Sequence, residues 1–332
     1  MKKMNLLAVS LLFTASLASC GNTSDRVVIF TTAEEERINY LQNELNEQFP
    51  NIDIEFQYLG NGNMVSKFQA EGTETEADIF YDFEVTNAEI VLNSNPAIFA
   101  DLSSYDFSIY DSSVTGYLSS HKNYAVDAKL DGGVLVNKKV LESKGLSVPH
   151  SYSDLLDEKY KGLISMPNPK SSGTGYCFYN GLVATKGESE ALNYFSELDK
   201  NVKEFTSSGS APIKSVDRGD VAVGFGMLWQ CVQFANNNSD LEVVILDEKA
   251  PYNLYSMGMI SGHDTKQNVK SVFDYLYNDL NKKEVAAFTP DKIYVEQPQT
   301  TIANYPQNVQ EIDMVGVFDP KHKQNLLDKW TL

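Results

Sequence analysis

The sequence predicts an α/β protein built around parallel strands, and three observations carry that prediction. A continuous apolar run, Val27-Val28-Ile29-Phe30, leads into apolar residues at helical spacing, Ile38, Leu41, Leu45 and Phe49. Strand-like and helix-like stretches go on alternating, the pattern of a sheet with crossover helices. A turn of small residues, Lys170-Ser171-Ser172-Gly173-Thr174-Gly175, opens a later helix.

The elements follow in order. Val27 to Phe30 reads as a buried strand ending at Thr31-Thr32, and the helix after it stops at Pro50. Ile52, Ile54, Phe56 and Tyr58 alternate with polar residues, a second strand closed by the Gly60-Asn61-Gly62-Asn63 turn. Met64 to Ala70 reads as a short helix and Asp78-Ile79-Phe80-Tyr81 as a third strand. In such sheets ligands sit beyond the carboxyl ends of the strands. That rule selects two expected loops, Thr31-Thr32-Ala33-Glu34 and Tyr81-Asp82-Phe83-Glu84. Further on, Gly133 to Asn137 is a strand, Tyr152 to Tyr160 a short helix, and Leu163 to Met166 a strand broken by Pro167 and Pro169. The helix opened by the small-residue turn carries Phe178, Leu182 and Val183, and Val221, Val223 and Phe225 alternate in another strand.

Length and composition bound the function. The chain has 332 residues, enough for two ordinary domains, and its 42% hydrophobic and 22% charged content is that of a globular protein. With 45 acidic against 27 basic residues the formal net charge is −18, which disfavours a nucleic-acid binder of the usual basic kind. Lys2 and Lys3 precede the apolar run Leu6 to Phe13, a signature of an export signal too short to span a bilayer. Its end, Leu17-Ala18-Ser19-Cys20, resembles the bacterial lipobox, which implies cleavage after residue 19 and lipidation of Cys20. Residues 1–19 are therefore read as signal peptide and 20–25 as a lipidated tether, with no later membrane segment. The protein is expected to be tethered to the outer face of the cell membrane through lipid alone.

Cys177 and Cys231 then remain, either as a disulfide or as two buried thiols. His121, His150, His263 and His322 lack metal-ligand spacing and read as surface residues, so no metal and no cofactor is expected. Gly224-Phe225-Gly226 is not a dinucleotide fingerprint, because Trp229 stands at the third glycine's place. No nucleophile elbow or zinc-protease helix occurs, and no catalysis is expected.

The small-residue turn at a helix start leaves backbone N–H groups free beside the positive end of the helix dipole. Ser171, Ser172 and Thr174 add hydroxyl donors. The same cluster also reads as an ordinary helix cap.

Several stretches together resemble a family. Asp131 to Lys139, Ser153-Asp154-Leu155-Leu156 with Tyr160-Lys161-Gly162, and Met166-Pro167-Asn168-Pro169 running into Ser171 to Gly175 are similar to solute-binding proteins of bacterial ABC importers. So is Ser208-Gly209-Ser210-Ala211-Pro212-Ile213 with Arg218 to Gly224. The resemblance is to the type 2 branch, which includes receptors for ferric iron, sugar phosphates, aminophosphonates, thiamine and polyamines. It implies two α/β lobes joined by hinge-crossing strands and closing on a small solute, with an ABC permease as partner. Lobe 1 would comprise 26–126 and 257–300, and lobe 2 would comprise 127–256 and 301–332. Ferric members place adjacent tyrosines just after the strand matching Val221 to Phe225; here those positions read Met227-Leu228-Trp229-Gln230, which argues against that mode.

Two ligand classes stay open. An organic anion bearing phosphate or phosphonate would use Ser171, Ser172, Gly173 and Thr174, with Thr31 and Thr32 opposite. A cation such as a polyamine would use Asp82, Glu84 or Glu34 with Tyr81, Trp229 or Tyr255 as aromatic walls. Glu34-Glu35-Glu36 also suits the first turn of a helix, whose dipole acidic residues complement. A surface enzyme or adhesin on the same fold is the competing class of function.

Overall fold

A computed structural model describes residues 26–118 and 122–332. The lipobox, Cys20 and His121 lie outside the described residues. The first part of the chain alternates β1 (Arg26–Thr31), α1 (Glu35–Gln48), β2 (Asp53–Tyr58), α2 (Asn61–Glu71), β3 (Ile79–Glu84) and α3 (Val85–Ser94). After α4 (Ser112–Leu118) comes β4 (Ala125–Asn137), a fully buried strand of 13 residues, then α5 (Lys138–Ser143). The middle holds β5 (Ile164–Pro167), α6 (Gly173–Lys186), α7 (Glu188–Leu198), β6 (Val202–Thr206), α8 (Ala211–Asp217), β7 (Val223–Met227), α9 (Leu228–Asn237) and β8 (Leu241–Val244). Then follow β9 (Tyr252–Met259), α10 (Gln267–Tyr275), a π-helical stretch (Leu276–Leu280), α11 (Asn281–Ala287) and α12 (Pro320–Lys329).

The strands run in the order β2-β1-β3-β9-β4-β7-β5-β6, with β8 beside β4. β1 is parallel to β2 and β3, and β5 is parallel to β6 and β7, so each half keeps the expected parallel pairs. β4 and β9 run antiparallel and join the halves. β4 pairs with β9 from Ala125 to Asp131, then with β7 from Gly132 to Val136. The strand therefore changes partner between Asp131 and Gly132.

Apolar burial follows the same division. One core gathers Val27, Ile29, Phe30, Leu41, Phe68 and Phe80 with Val269, Phe273 and Tyr294 from much later in the chain. A second gathers Val134, Val136, Phe178, Phe195 and Phe225. The C-terminal segment touches both, with Ile312, Met314 and Val317 in the first core and Leu326 and Trp330 in the second. This is the two-lobe α/β architecture expected from the sequence. Among the described residues no helix is long and apolar enough to cross a membrane.

Two local expectations change, and the open choice at the cysteines is decided. Tyr81 to Glu84 is not a loop after the third strand but part of β3, whose register against β9 shifts between Phe80 and Phe83. Such a bulge re-aims a side chain, here that of Asp82, whose φ of 56° is left-handed. Tyr152 to Tyr160 forms two short 3₁₀ turns, Asp154–Leu156 and Glu158–Tyr160, instead of one helix. The carboxylate of Asp154 accepts from the His150 and Ser151 backbone N–H groups, and that of Asp157 from Lys159 N–H, local bonds that compete with a helix. Cys177 and Cys231 are both free and buried, and burial pushes both thiols up. Of the histidines, His150 is exposed, while His263 and His322 are half-buried and bond Asp78 and Asn180.

Candidate functional site

A cavity of about 1010 Å³ opens between the two halves. Its wall on the first side is Thr32, Glu34 to Asn39 in part, Tyr58, Gly60, Asn61 and Asp82. On the second it is Ser171 to Thr174, Ser207 to Ser210, Lys214, Met227, Gln230, Gln233 and Phe234, with Leu130 and Tyr255 on the joining strands.

The second wall is dense in hydroxyls because two loops converge there. Ser172 is the N-cap of α6, extended at φ −132°, ψ 128°, its Oγ accepting from Gly175 N–H at 3.5 Å. Asn168 O accepts from Ser171 and Ser172 N–H, which fixes the turn. At Gly175 a Cβ would lie 2.3 Å from Pro167 O, so only glycine lets the helix start this close to the end of β5. Gly209 is equally crowded: a Cβ would lie 2.4 Å from Thr174 Oγ1 and 3.2 Å from Ser172 Oγ. The Ser207 to Ser210 loop thus sits directly on the α6 turn.

The first wall rests on a buried charge network. Arg37 on α1 is wholly buried; its guanidinium lies 2.7 Å from Asp82 Oδ1, as a charge contact without an in-line N–H, and 2.5 Å from Glu284. Thr32 Oγ1 donates to Asp82, and Asp127 accepts from Asp82 N–H at 2.5 Å. Burial pushes the Asp82 carboxyl up to about 7 against the pull of Arg37. Asp127 is pushed well up, first by burial and then by Asp82. Glu84 is buried as well, and its Oε1 accepts from Lys323 of α12 at 2.6 Å. Glu34 is part-exposed, reaching Arg37 and Gln230 Nε2, each at 3.4 Å.

The cavity therefore brings together Thr32, Asp82, Ser171, Ser172, Gly173, Thr174 and Tyr255 from the expected set. Thr31, Tyr81 and Trp229 lie away from the wall. Thr31 Oγ1 turns back to accept from Ala33 N–H, and the Tyr81 hydroxyl is spent on Asn281. Trp229 is fully buried edge-on against Phe288, so it forms core and not a stacking platform. Sequence reasoning missed Arg37, Tyr58, the Ser207 to Ser210 hydroxyls as part of the wall, and Lys214. Among the described residues lining the cavity, Lys214 is the one basic side chain. No three His, Cys, Asp or Glu side chains among the described residues converge as a metal site.

Residues 77–299 match the model of the bacterial extracellular solute-binding protein family. The chain belongs to that family. This solute-binding protein is of the ABC-importer type, with a small molecule as ligand and a permease as partner. It is 25% identical over 345 residues to an uncharacterized protein of Haemophilus influenzae (strain ATCC 51907 / DSM 11121 / KW20 / Rd), across 99% of this chain and 96% of that one. The periplasmic binding protein P5PA superposes with a TM-score of 0.76 at 21% identity, covering 92% of this chain and 98% of that chain. AfuA of Actinobacillus pleuropneumoniae, solved with fructose-6-phosphate bound, superposes at 0.77 with 22% identity, covering 92% and 97%. Identities this low establish the shared two-lobe fold, and both neighbours are binding proteins.

Proposed function

We propose that this solute-binding protein captures a small organic anion, bearing phosphate or phosphonate, between two lobes hinged on β4 and β9. It holds itself at the outer face of the cell membrane through lipid on Cys20 and hands its cargo to the permease. The observation that carries the anionic reading is the convergence of the Ser171 to Thr174 and Ser207 to Ser210 loops on one wall, beside Lys214. The cationic reading loses its principal acceptors to internal partners, since Asp82 faces Arg37 and Glu84 faces Lys323. Fructose-6-phosphate in AfuA, a protein of the same fold, is in keeping with this reading.

Calorimetry of the mature protein against inorganic phosphate, fructose 6-phosphate and spermidine tests it. A phosphate compound should bind and spermidine should not. Unmet buried donors cost roughly 1–3 kcal/mol each, so Ser172→Ala with Thr174→Val should weaken the phosphate compound about tenfold or more, and Asp82→Asn much less. Spermidine binding that Asp82→Asn abolishes would overturn the anionic class.

A further inference from the structure

We propose that Lys214 is the cationic anchor of the captured anion and that Glu36, on the opposite wall, is the counter-charge the anion displaces. The inference rests on the anionic reading above and names the side chains that set its selectivity.

Lys214 is held where an anchor would have to be. Its helix, α8, follows the Ser207 to Ser210 loop directly and is locked onto β7: a Cβ on Gly224 would lie 2.9 Å from Pro212 O, and one on Gly226 would lie 2.1 Å from Ile213 Cδ1. Pro212, Ile213, Ser215 and Val216 are buried, while Lys214 is exposed and lines the cavity. The ammonium therefore projects from a fixed base beside the hydroxyl wall. Among the described residues it has no carboxylate within ion-pair distance, whereas the buried cation Lys323 has one and Arg37 has three.

Across the cavity, Glu36 stands in the first turn of α1, with no ion pair of its own among the described residues. Partial burial and Glu34 push its carboxyl up, while Arg37 and Lys214 pull it down. The two side chains thus line one cavity from opposite walls, with no ion pair between them. An anion arriving between them gains Lys214 and meets the repulsion of Glu36, so the carboxylate sets how much negative charge the cleft accepts. A neutral solute gains nothing from Lys214. Glu36 is thus the ligand's rival for Lys214.

Calorimetry at pH 8 and low salt, using inorganic phosphate and fructose 6-phosphate as probes, tests the assignment. Lys214→Gln should weaken both by tenfold or more, in line with hydrogen bonds to charged groups, and Lys214→Arg should restore most of the loss. Glu36→Gln should tighten both by about threefold, the scale of a solvent-exposed charge pair, and the gain should fade with added salt. Wild-type affinity in Lys214→Gln, with binding still lost on changing Ser172 and Thr174, would overturn the anchor while leaving the anionic reading intact. Unchanged or weaker binding in Glu36→Gln would overturn the displacement. If neither probe binds the wild-type protein, the anionic reading falls and this inference with it. Both side chains are exposed, and matching melting curves would show that the variants fold.

Discussion

Replacing Arg37 by Met should expose the electrostatic debt under the first wall of the cleft. The guanidinium is fully buried and sits 2.7 Å from Asp82 and 2.5 Å from Glu284, themselves nearly or wholly buried. Methionine fills much of the space but leaves both carboxyls without a cation, and deleting one partner of a buried pair typically costs about 3–5 kcal/mol. Asp82, already pushed up to about 7, can shed its charge at little cost, so the loss falls mainly on the fully buried Glu284 contact. Urea unfolding followed by circular dichroism should show the variant about 3–5 kcal/mol less stable than wild type at pH 7. A deficit below about 1 kcal/mol would refute the argument.

The wild-type protein should itself lose stability as the pH climbs from about 4 through 7, because burial pushes Asp82 up to about 7 and Asp291 up to about 6. A raised folded pKa gives stability that is complete below the unfolded value and lost as pH passes the folded one. Asp111, held at about 2 chiefly by its hydrogen bond to Lys292, works in the other direction only below about pH 4. Stability curves over this range should flatten in Asp82→Asn; an unaltered slope would rule that carboxyl out. Gly175→Ala should cost about 1–3 kcal/mol, because its Cβ would meet rigid backbone at Pro167 O, 2.3 Å away, and should weaken fructose 6-phosphate as the α6 turn shifts; an unchanged melting temperature would contradict this. Cys20→Ala should release the protein from membranes or block its maturation, and membrane retention of a correctly cleaved variant would sink the lipid anchor.

What the sequence disclosed is local, and what it hid is long-range. Val27 to Phe30, the alternation around Ile54 and Phe56, and the Ser171 to Gly175 turn carry their structure in periodicity and residue type. Arg37 gives no such sign. It follows three glutamates in an amphipathic helix and reads as a solvated face, and Asp82 and Glu284, the latter 247 residues away, make its burial tolerable. Asp82 is visible as a carboxylate near a strand end, but its bulge depends on the register against β9. Lys214 is one lysine among many until α8 is seen packed on β7. Trp229 errs the other way: an aromatic beside the cleft in sequence, it is claimed by Phe288 in space.

The way the first core is assembled bears on how the chain is made. β1, the earliest strand, shares that core with Val269, Phe273 and Tyr294, and with Met314 and Val317 near the C-terminus. Chains generally fold from the end synthesised first, but here the opening strands cannot complete their packing until nearly all the sequence exists. Contacts so distant along the chain also form slowly. The first core therefore stays incomplete for most of the chain's translation. For a member of an extracellular solute-binding family, such late packing would leave the chain open while it crosses a membrane.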